Sequence, residues 1–518
     1  LSTSLFVEVI QSFAFHPTVN EVVPFSAEYS FPNQATRQSK RTVKLTPKNN
    51  AQQYPSGTTI RFEFPASGYL NPNNTYLAFN ARVNITGAVP FAAGTGAQSG
   101  GFQFQNNIQS IFRRVRILYG SLVLEDIQDY NIIQRLFTET LLPAGSSLSS
   151  TTMGQGIGLA KNQIQNASNL IPQPWDFRMD RLNYHTTGTE TAVTNVGTTT
   201  RRYAVPINTG LFQQKNLIPL KYMASQLQVE IEIAEAVDCV TWVLGVGGSP
   251  TVPSACVVSV GLPEIVAELL EFDSEFDAAI YDLLGNGLPI HFTSYHTTTQ
   301  TLGANLFSQL NIQESSRSVK WALAVILDDA HRTLYRDYHH FIAGLGSTQS
   351  DQTAATDPKS ATFNGSAVES FQWRLGGTYY PSQPVPCYGG ALPLVGSIDG
   401  TYADPPVEMY QELMKTFGNM FGDDGTFLGD VGGNYTLALR KGTVNTDSFP
   451  TTTFVMAGNF MSDRGDVISG INAEEQNDLQ LLIKFVGTTN ANPKTVKIIV
   501  AYDNLMILGE SNNMVLVN

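Results

Sequence analysis

Residues Tyr76–Ile85 read YLAFNARVNI. In an extended chain Leu77, Phe79, Ala81, Val83 and Ile85 fall on one face, and Asn80, Arg82 and Asn84 on the other, because successive strand side chains point to opposite sides. A helix would scatter the same apolar residues around its circumference. The stretch is therefore a strand with one buried and one wet face. Antiparallel sheets carry that alternation, whereas parallel strands, covered on both faces, read as unbroken apolar runs.

The same period recurs on both sides of this strand. Thr59–Phe64 sets Ile60, Phe62 and Phe64 against Arg61 and Glu63, and Leu227–Ile233 sets Leu227, Val229, Ile231 and Ile233 against Gln228, Glu230 and Glu232. In the second half, Val319–Leu327 places Val319, Trp321, Leu323, Val325 and Leu327 on one face. Ser370–Leu375 alternates Phe371, Trp373 and Leu375 with Ser370, Gln372 and Arg374, and Leu479–Phe485 and Val496–Leu508 add two buried strands. Sheets with one apolar face each pack as a sandwich. Two amphipathic helices interrupt the strands, one in each half. Asp126–Phe137 carries Ile127, Tyr130, Ile133 and Phe137 at helical spacing; Asp404–Phe417 opens with an Asp–Pro start and carries Val407, Tyr410, Leu413 and Phe417. The order of parts is thus duplicated, which divides the chain into an N-terminal arm (1–34), a first β unit (35–263), an acidic and apolar connector (264–287) and a second β unit (288–518). Three polar stretches, Gly87–Asn107, Pro143–Thr200 and Gly344–Gly365, exceed ordinary turns and read as long surface loops.

Composition narrows the function classes. Only 14% of the 518 residues are charged, and Thr, Ser, Asn, Gln and Gly take their place, which disfavours helical bundles, coiled coils and helical repeats. The net charge of −13 is opposite to the basic footprint of a chain built to grip phosphates. One local exception is Arg37, Lys40, Arg41, Lys44 and Lys48. Two readings stand for it: a solvated strand edge that discourages aggregation, or an inward-facing cluster that meets nucleic acid or an acidic neighbour. The arm carries Leu5, Phe6, Val7, Ile10, Phe13 and Phe15, too apolar for an idle tail; it docks on its own core, reaches a neighbouring subunit, or meets a membrane surface. Three widely spaced cysteines, Cys239, Cys256 and Cys387, form no disulfide framework and suit a reducing compartment. No apolar run reaches the roughly 18 residues of a membrane span, and Leu1 begins no recognisable signal peptide.

Few patterns carry chemistry. The chain has no phosphate loop and no nucleophile elbow, and Gly154-Gln155-Gly156-Ile157-Gly158 follows no buried strand. The histidines His16, His185, His291, His296, His331, His339 and His340 never take metal-binding spacing, and Asp423-Asp424-Gly425 with Asp430 lacks the alternating ligands of a calcium loop. Arg464-Gly465-Asp466 and the sequon Asn73-Asn74-Thr75 are short enough to arise by chance. No catalytic, cofactor-binding or metal-binding residue is assigned.

Ile111–Phe137, IFRRVRILYGSLVLEDIQDYNIIQRLF, resembles the strand–turn–strand–helix of the first jelly roll in double jelly-roll major capsid proteins of icosahedral double-stranded DNA viruses, most like those of virophages, polinton-like viruses and nucleocytoplasmic large viruses. NLIPLKYMASQLQVEIEI (Asn216–Ile233), GLPIHFTSYHTTTQ (Gly287–Gln300), Phe454–Phe485 and KIIVAYDNLMIL (Lys497–Leu508) resemble later segments of the same family. The likeness covers most of residues 40–510 as pattern and order rather than as one sharp motif. It implies an all-β fold of two eight-stranded antiparallel jelly rolls side by side, with one or two short helices in each. It also implies a non-enzymatic shell protein of the virion, with no cofactor and no small-molecule substrate. Its first partner would be itself, as a homotrimer of pseudo-hexagonal outline and then as neighbouring capsomers; penton and minor capsid proteins, packaged DNA or an internal membrane would follow. The alternative is a carbohydrate-active or carbohydrate-binding β-sandwich protein, which would show a cleft with paired carboxylates.

Overall fold

The computed structural model describes residues 37–86, 101–104, 108–141, 181–183, 198–214, 216–243, 255–303, 305–327, 368–387, 408, 411–413, 415–416, 454–461, 470–474, 478–485, 494–509 and 514–517. In the first half, one sheet has the order β1 (Arg37–Leu45), β12 (Ala255–Phe272), β4 (Tyr69–Thr86), β9 (Thr198–Pro206), with β2 (Gln53–Pro55) also paired to β12. The facing sheet has the order β3 (Thr59–Glu63), β10 (Leu227–Ile233), β6 (Phe112–Tyr119), β7 (Leu122–Ile127). In the second half the sheets are β13 (Leu288–Leu302), β20 (Lys494–Leu508), β15 (Val319–Leu327), β18 (Met456–Asn459), with β21 (Met514–Val517) on β20, and β14 (Phe307–Ile312), β19 (Leu479–Phe485), β16 (Val368–Leu375), β17 (Thr378–Pro386). Every one of these pairings is antiparallel.

Setting aside the short β2 and β21, each half contributes eight strands to these sheets. Counted along the chain, they pair as first–eighth–third–sixth and second–seventh–fourth–fifth in both halves. That shared order is the jelly-roll winding, present twice. A small third sheet, β11 (Val240–Val243), β5 (Gly101–Phe104) and β8 (Arg181–Asn183), accompanies the first roll.

The alternation read from sequence is what fills each roll. Ile60, Phe62 and Phe64 lie buried with Phe79, Phe112 and Tyr203, whose rings stack around Phe79 at 5.1 and 6.0 Å between centroids. In the second roll Phe371, Trp373 and Leu375 are buried with Leu481 and Ile483, and the Trp373 ring meets Phe460 edge-on at 6.3 Å. Each such side chain contributes on the order of 2 kcal/mol on burial.

Three local readings change, and one helix stands where it is described. Glu264–Phe272, expected in the connector, is the second half of β12, pairing with Leu45–Arg37 and Ala78–Tyr69. Its side chains are buried on both faces, Ile265, Val266, Ala267, Leu269 and Leu270 alike, so no alternation marks it as a strand. The link between rolls is Asp273–Gly287, mostly α2 (Ser274–Asn286), capped by Asp273 accepting a 2.9 Å bond from the Phe276 amide and closed by Gly287 at φ +85°. The helix placed at Asp126–Phe137 begins later, as α1 (Tyr130–Leu141), because Asp126 and Ile127 extend β7 along β6 and Asp129 turns the chain at φ +50°. Of the Asp404–Phe417 helix, the described residues 408, 411–413 and 415–416 are helical, with Leu413 buried; Asp404 and Pro405 lie outside the described residues. Finally, β5, β8 and the start of β9 fall inside stretches read as loops.

Register gives each roll two distinct ends. At one end Arg37 faces Phe272 and Tyr69 faces Leu270, α2 departs, and β13 and β21 meet the end of β20 at Leu508. At the other end Thr86 faces Ala255, Leu302 faces Lys494 and Leu327 faces Thr495. The arm therefore joins the fold at the connector end, and residues 87–100 and 328–367 leave from the opposite ends. Phe371→Asp places an unpaired charge at a position 1% exposed and is expected to abolish soluble folding; normal yield of that variant would mean the register of β16 is wrong.

Candidate functional site

The residues singled out by sequence take ordinary structural places. β1 is an edge strand whose lysines and arginine lean on carboxylates: Lys40 on Glu268, Arg41 on Glu271 at 3.8 Å and Lys44 on Glu264 at 3.6 Å, while Lys48 beyond the strand reaches Glu63 at 2.6 Å. Burial pushes the Glu268 carboxyl up, but the Lys40 ammonium and the amides of Asn74 and Asn71 outweigh it and hold the group below its ordinary value. Arg37 opens the strand opposite Phe272. Lys40, Arg41 and Lys44 are thus paired within their own sheet, and Lys48 with the facing one. The arm residues Leu5, Phe6, Val7, Ile10, Phe13 and Phe15 lie outside the described residues, as do Gly154–Gly158, Asp423–Asp430 and Arg464–Asp466.

Among the described residues no group of three or more His, Cys, Asp or Glu could hold a metal, and no helix is long and apolar enough to cross a membrane. Cys239, Cys256 and Cys387 are buried free thiols, and burial pushes each above its ordinary value, Cys256 to about 12. A resting thiol in apolar surroundings is inert. The most buried carboxylates are engaged by the fold: Glu230 lies between Arg61 and Arg116 on the outer face of β10, Glu314 accepts from Ser316 and faces His296 at 3.4 Å, and Glu125 sits between the rolls.

That junction brings several polar contacts together among the described residues. β13 forms one edge of its sheet, and the turn Gly210–Gln213 of the first roll lies directly against it. A Cβ on Gly210 would stand 2.0 Å from the Thr293 carbonyl oxygen, so only glycine permits the approach. Glu125, on β7, is 1% exposed. Its Oε1 accepts from the Leu211 amide at 2.7 Å, and its Oε2 from the Gly210 amide at 2.9 Å and the Ser294 hydroxyl at 3.2 Å. One carboxylate thus joins its own roll to the other. Around it Thr297 donates to the Gln128 carbonyl at 3.0 Å, Asn504 to the Leu124 carbonyl at 3.4 Å, and Lys497 bonds Asp129 at 2.8 Å. Phe137 of α1 packs edge-on against Tyr295, which in turn lies 5.7 Å from Trp321. β15, beyond β20 in the same sheet, is buried along both faces.

Two rolls with the same winding, joined through a strand edge, define the architecture, and solved structures share it across nearly the whole chain. The Faustovirus major capsid protein is 10% identical, with 98% of each chain covered and a TM-score of 0.53. The fold is that of the double jelly-roll capsid proteins. The Sputnik virophage structure aligns at 12% identity over 95% of this chain and 91% of the other, with a TM-score of 0.52, and the mavirus major capsid protein at 10% over 95% and 94%, with a TM-score of 0.50. No protein-family model matches the sequence, and no curated protein matches it.

Sequence reasoning missed Gly210 and Glu125. Gly210→Ala is expected to separate β13 from the turn and lower the thermal unfolding midpoint, at a cost of about 1–3 kcal/mol. An unchanged midpoint in calorimetry would show that the two rolls do not meet there.

Proposed function

We propose that this chain is the major capsid protein of an icosahedral double-stranded DNA virus, whose product is a surface built by repeated self-association. The observation that carries the reading is the pair of rolls with one winding order, alignable over 98% of the chain and of the Faustovirus protein. The chain acts as a structural protein of the virion rather than as an enzyme. The buried carboxylates, held by partners in the fold, support that, and the alternative, a carbohydrate-active or carbohydrate-binding β-sandwich, gains nothing from them.

Three copies closing in a ring would place six rolls around one axis and give the trimer a pseudo-hexagonal outline suited to tiling. A cyclic trimer lets each subunit use two different faces, and obligate contacts of this kind bury roughly 2,000 Å² or more. The exposed apolar residues Leu306 and Phe307, at the free edge of β14, and Leu122 and Val123, at the β6–β7 turn, are available for such contacts. With the arm rooted at the connector end, Leu5, Phe6, Val7, Ile10, Phe13 and Phe15 act as an inter-subunit tie beneath the shell. Penton and minor capsid proteins, packaged DNA or an internal membrane are the further partners this arrangement would meet; the basic cluster, already paired, contributes little to binding DNA.

Size-exclusion light scattering tests the reading. A mass near three times 56.5 kDa, or spontaneous shells, is expected, and a stable monomer with hydrolase activity would contradict it. Deleting Leu1–Phe15 is expected to leave trimers intact while weakening shell assembly. Loss of trimers as well would place the arm in the core fold.

A further inference from the structure

Glu125 is an unusual group on which to hang two domains. It is buried, and none of the salt bridges among the described residues includes it. The charged groups nearby are already matched: Arg114 with Asp126 of β7, Lys497 with Asp129 after it, and Lys320 with Asp503, while Glu314 accepts from Ser316 and lies 3.4 Å from His296. Arg135, the buried cation of α1, has a partner of its own. The remaining titratable neighbours are Tyr130 from α1, Tyr295 from β13 and Tyr502 from β20, each pushed upward by its own burial and further by the Glu125 charge, and so neutral. Two backbone amides and the hydroxyls of Ser294 and Thr209 offset part of the desolvation of this anion. A buried carboxylate without a cation is the case in which the neutral form competes with the charged one.

We propose that Glu125 is a proton-dependent latch between the two jelly rolls, holding their junction closed when neutral and loosening it when ionised. The seat accommodates both forms, because the Ser294 hydroxyl donates to the carboxylate and can accept from the carboxylic acid. Gly210 and Leu211 feel the change first, since their amides end on the two carboxyl oxygens, and β13 follows because it lies on the same turn.

The direction follows from linkage. Burial raises the carboxyl from its ordinary 4.5 to about 7 in the closed junction, against the opposing pull of the Leu211 and Gly210 amides. An opened junction returns the group to water and to its ordinary value. Closing therefore takes up a proton between those two values, so the closed form is favoured as pH falls through that window and is at its weakest, and flat, above about 7. The closed-to-open ratio changes by about tenfold per pH unit inside the window. Carboxylates held low by partners, such as Glu268 and Asp277, act in the opposite sense and only at more acid pH. This device does not depend on the chain's place in a shell.

The test compares the full chain with Glu125→Gln, an isostere that stays neutral. Calorimetric unfolding of both is followed between about pH 5 and about pH 7.5. The wild type is expected to gain stability relative to the variant as pH falls, by more than about tenfold in the folded ratio; parallel curves would overturn the proposal. Should the variant fail to fold, hydrogen exchange of the wild-type Gly210 and Leu211 amides decides, after correction for intrinsic exchange. Protection that rises more than about tenfold on acidification supports the latch, and protection independent of pH rejects it.

Discussion

A strand at the edge of a sheet presents a row of unpaired peptide groups, and a protein must cover it, charge it or pair it. In this chain the edge of the second roll's β13 is covered by the first roll, through a turn that tolerates no side chain at Gly210 and a carboxylate that bonds to both partners. The remaining architecture depends on that contact. Each roll closes its own core, but the placement of α1 against Tyr295 and the bond from Lys497 to Asp129 exist only while the rolls are joined. The junction holds the two rolls together at the cost of burying a carboxyl group.

The outer faces of the first roll are governed by a different rule. They alternate basic and acidic residues that meet across strands: Lys40 with Glu268, Lys44 and Arg202 with Glu264, and Arg61 and Arg116 with Glu230. Cross-strand pairs of opposite charge add modestly to sheet stability.

What could be read from sequence depended on water. Tyr76–Ile85 and Leu227–Ile233 declare themselves because one face is solvated and carries Asn, Arg and Glu. Glu264–Phe272 was opaque because both its faces are covered, leaving an apolar run with carboxylates that looks like a linker until Lys40 and Lys44 are seen to meet them. β5 and β8, four and three residues long, are too short to show a period, and β9 starts with a run of Thr that strands share with loops. The duplicated winding was legible only through resemblance, since strand order is a long-range property that periodicity does not encode. Glu125 had no signature at all. A register shift between Ile117 and Leu118 lets Leu124 and Glu125 both turn inward, so an acidic residue beside Asp126 passes for part of a wet face.

The proposed function requires two jelly rolls joined into one unit that assembles with copies of itself. Electron cryo-microscopy of the purified chain tests it directly. Threefold particles are predicted, each subunit contributing two roll-shaped lobes in contact along β13. Lone subunits, or lobes that separate by variable distances along the connector, would contradict it.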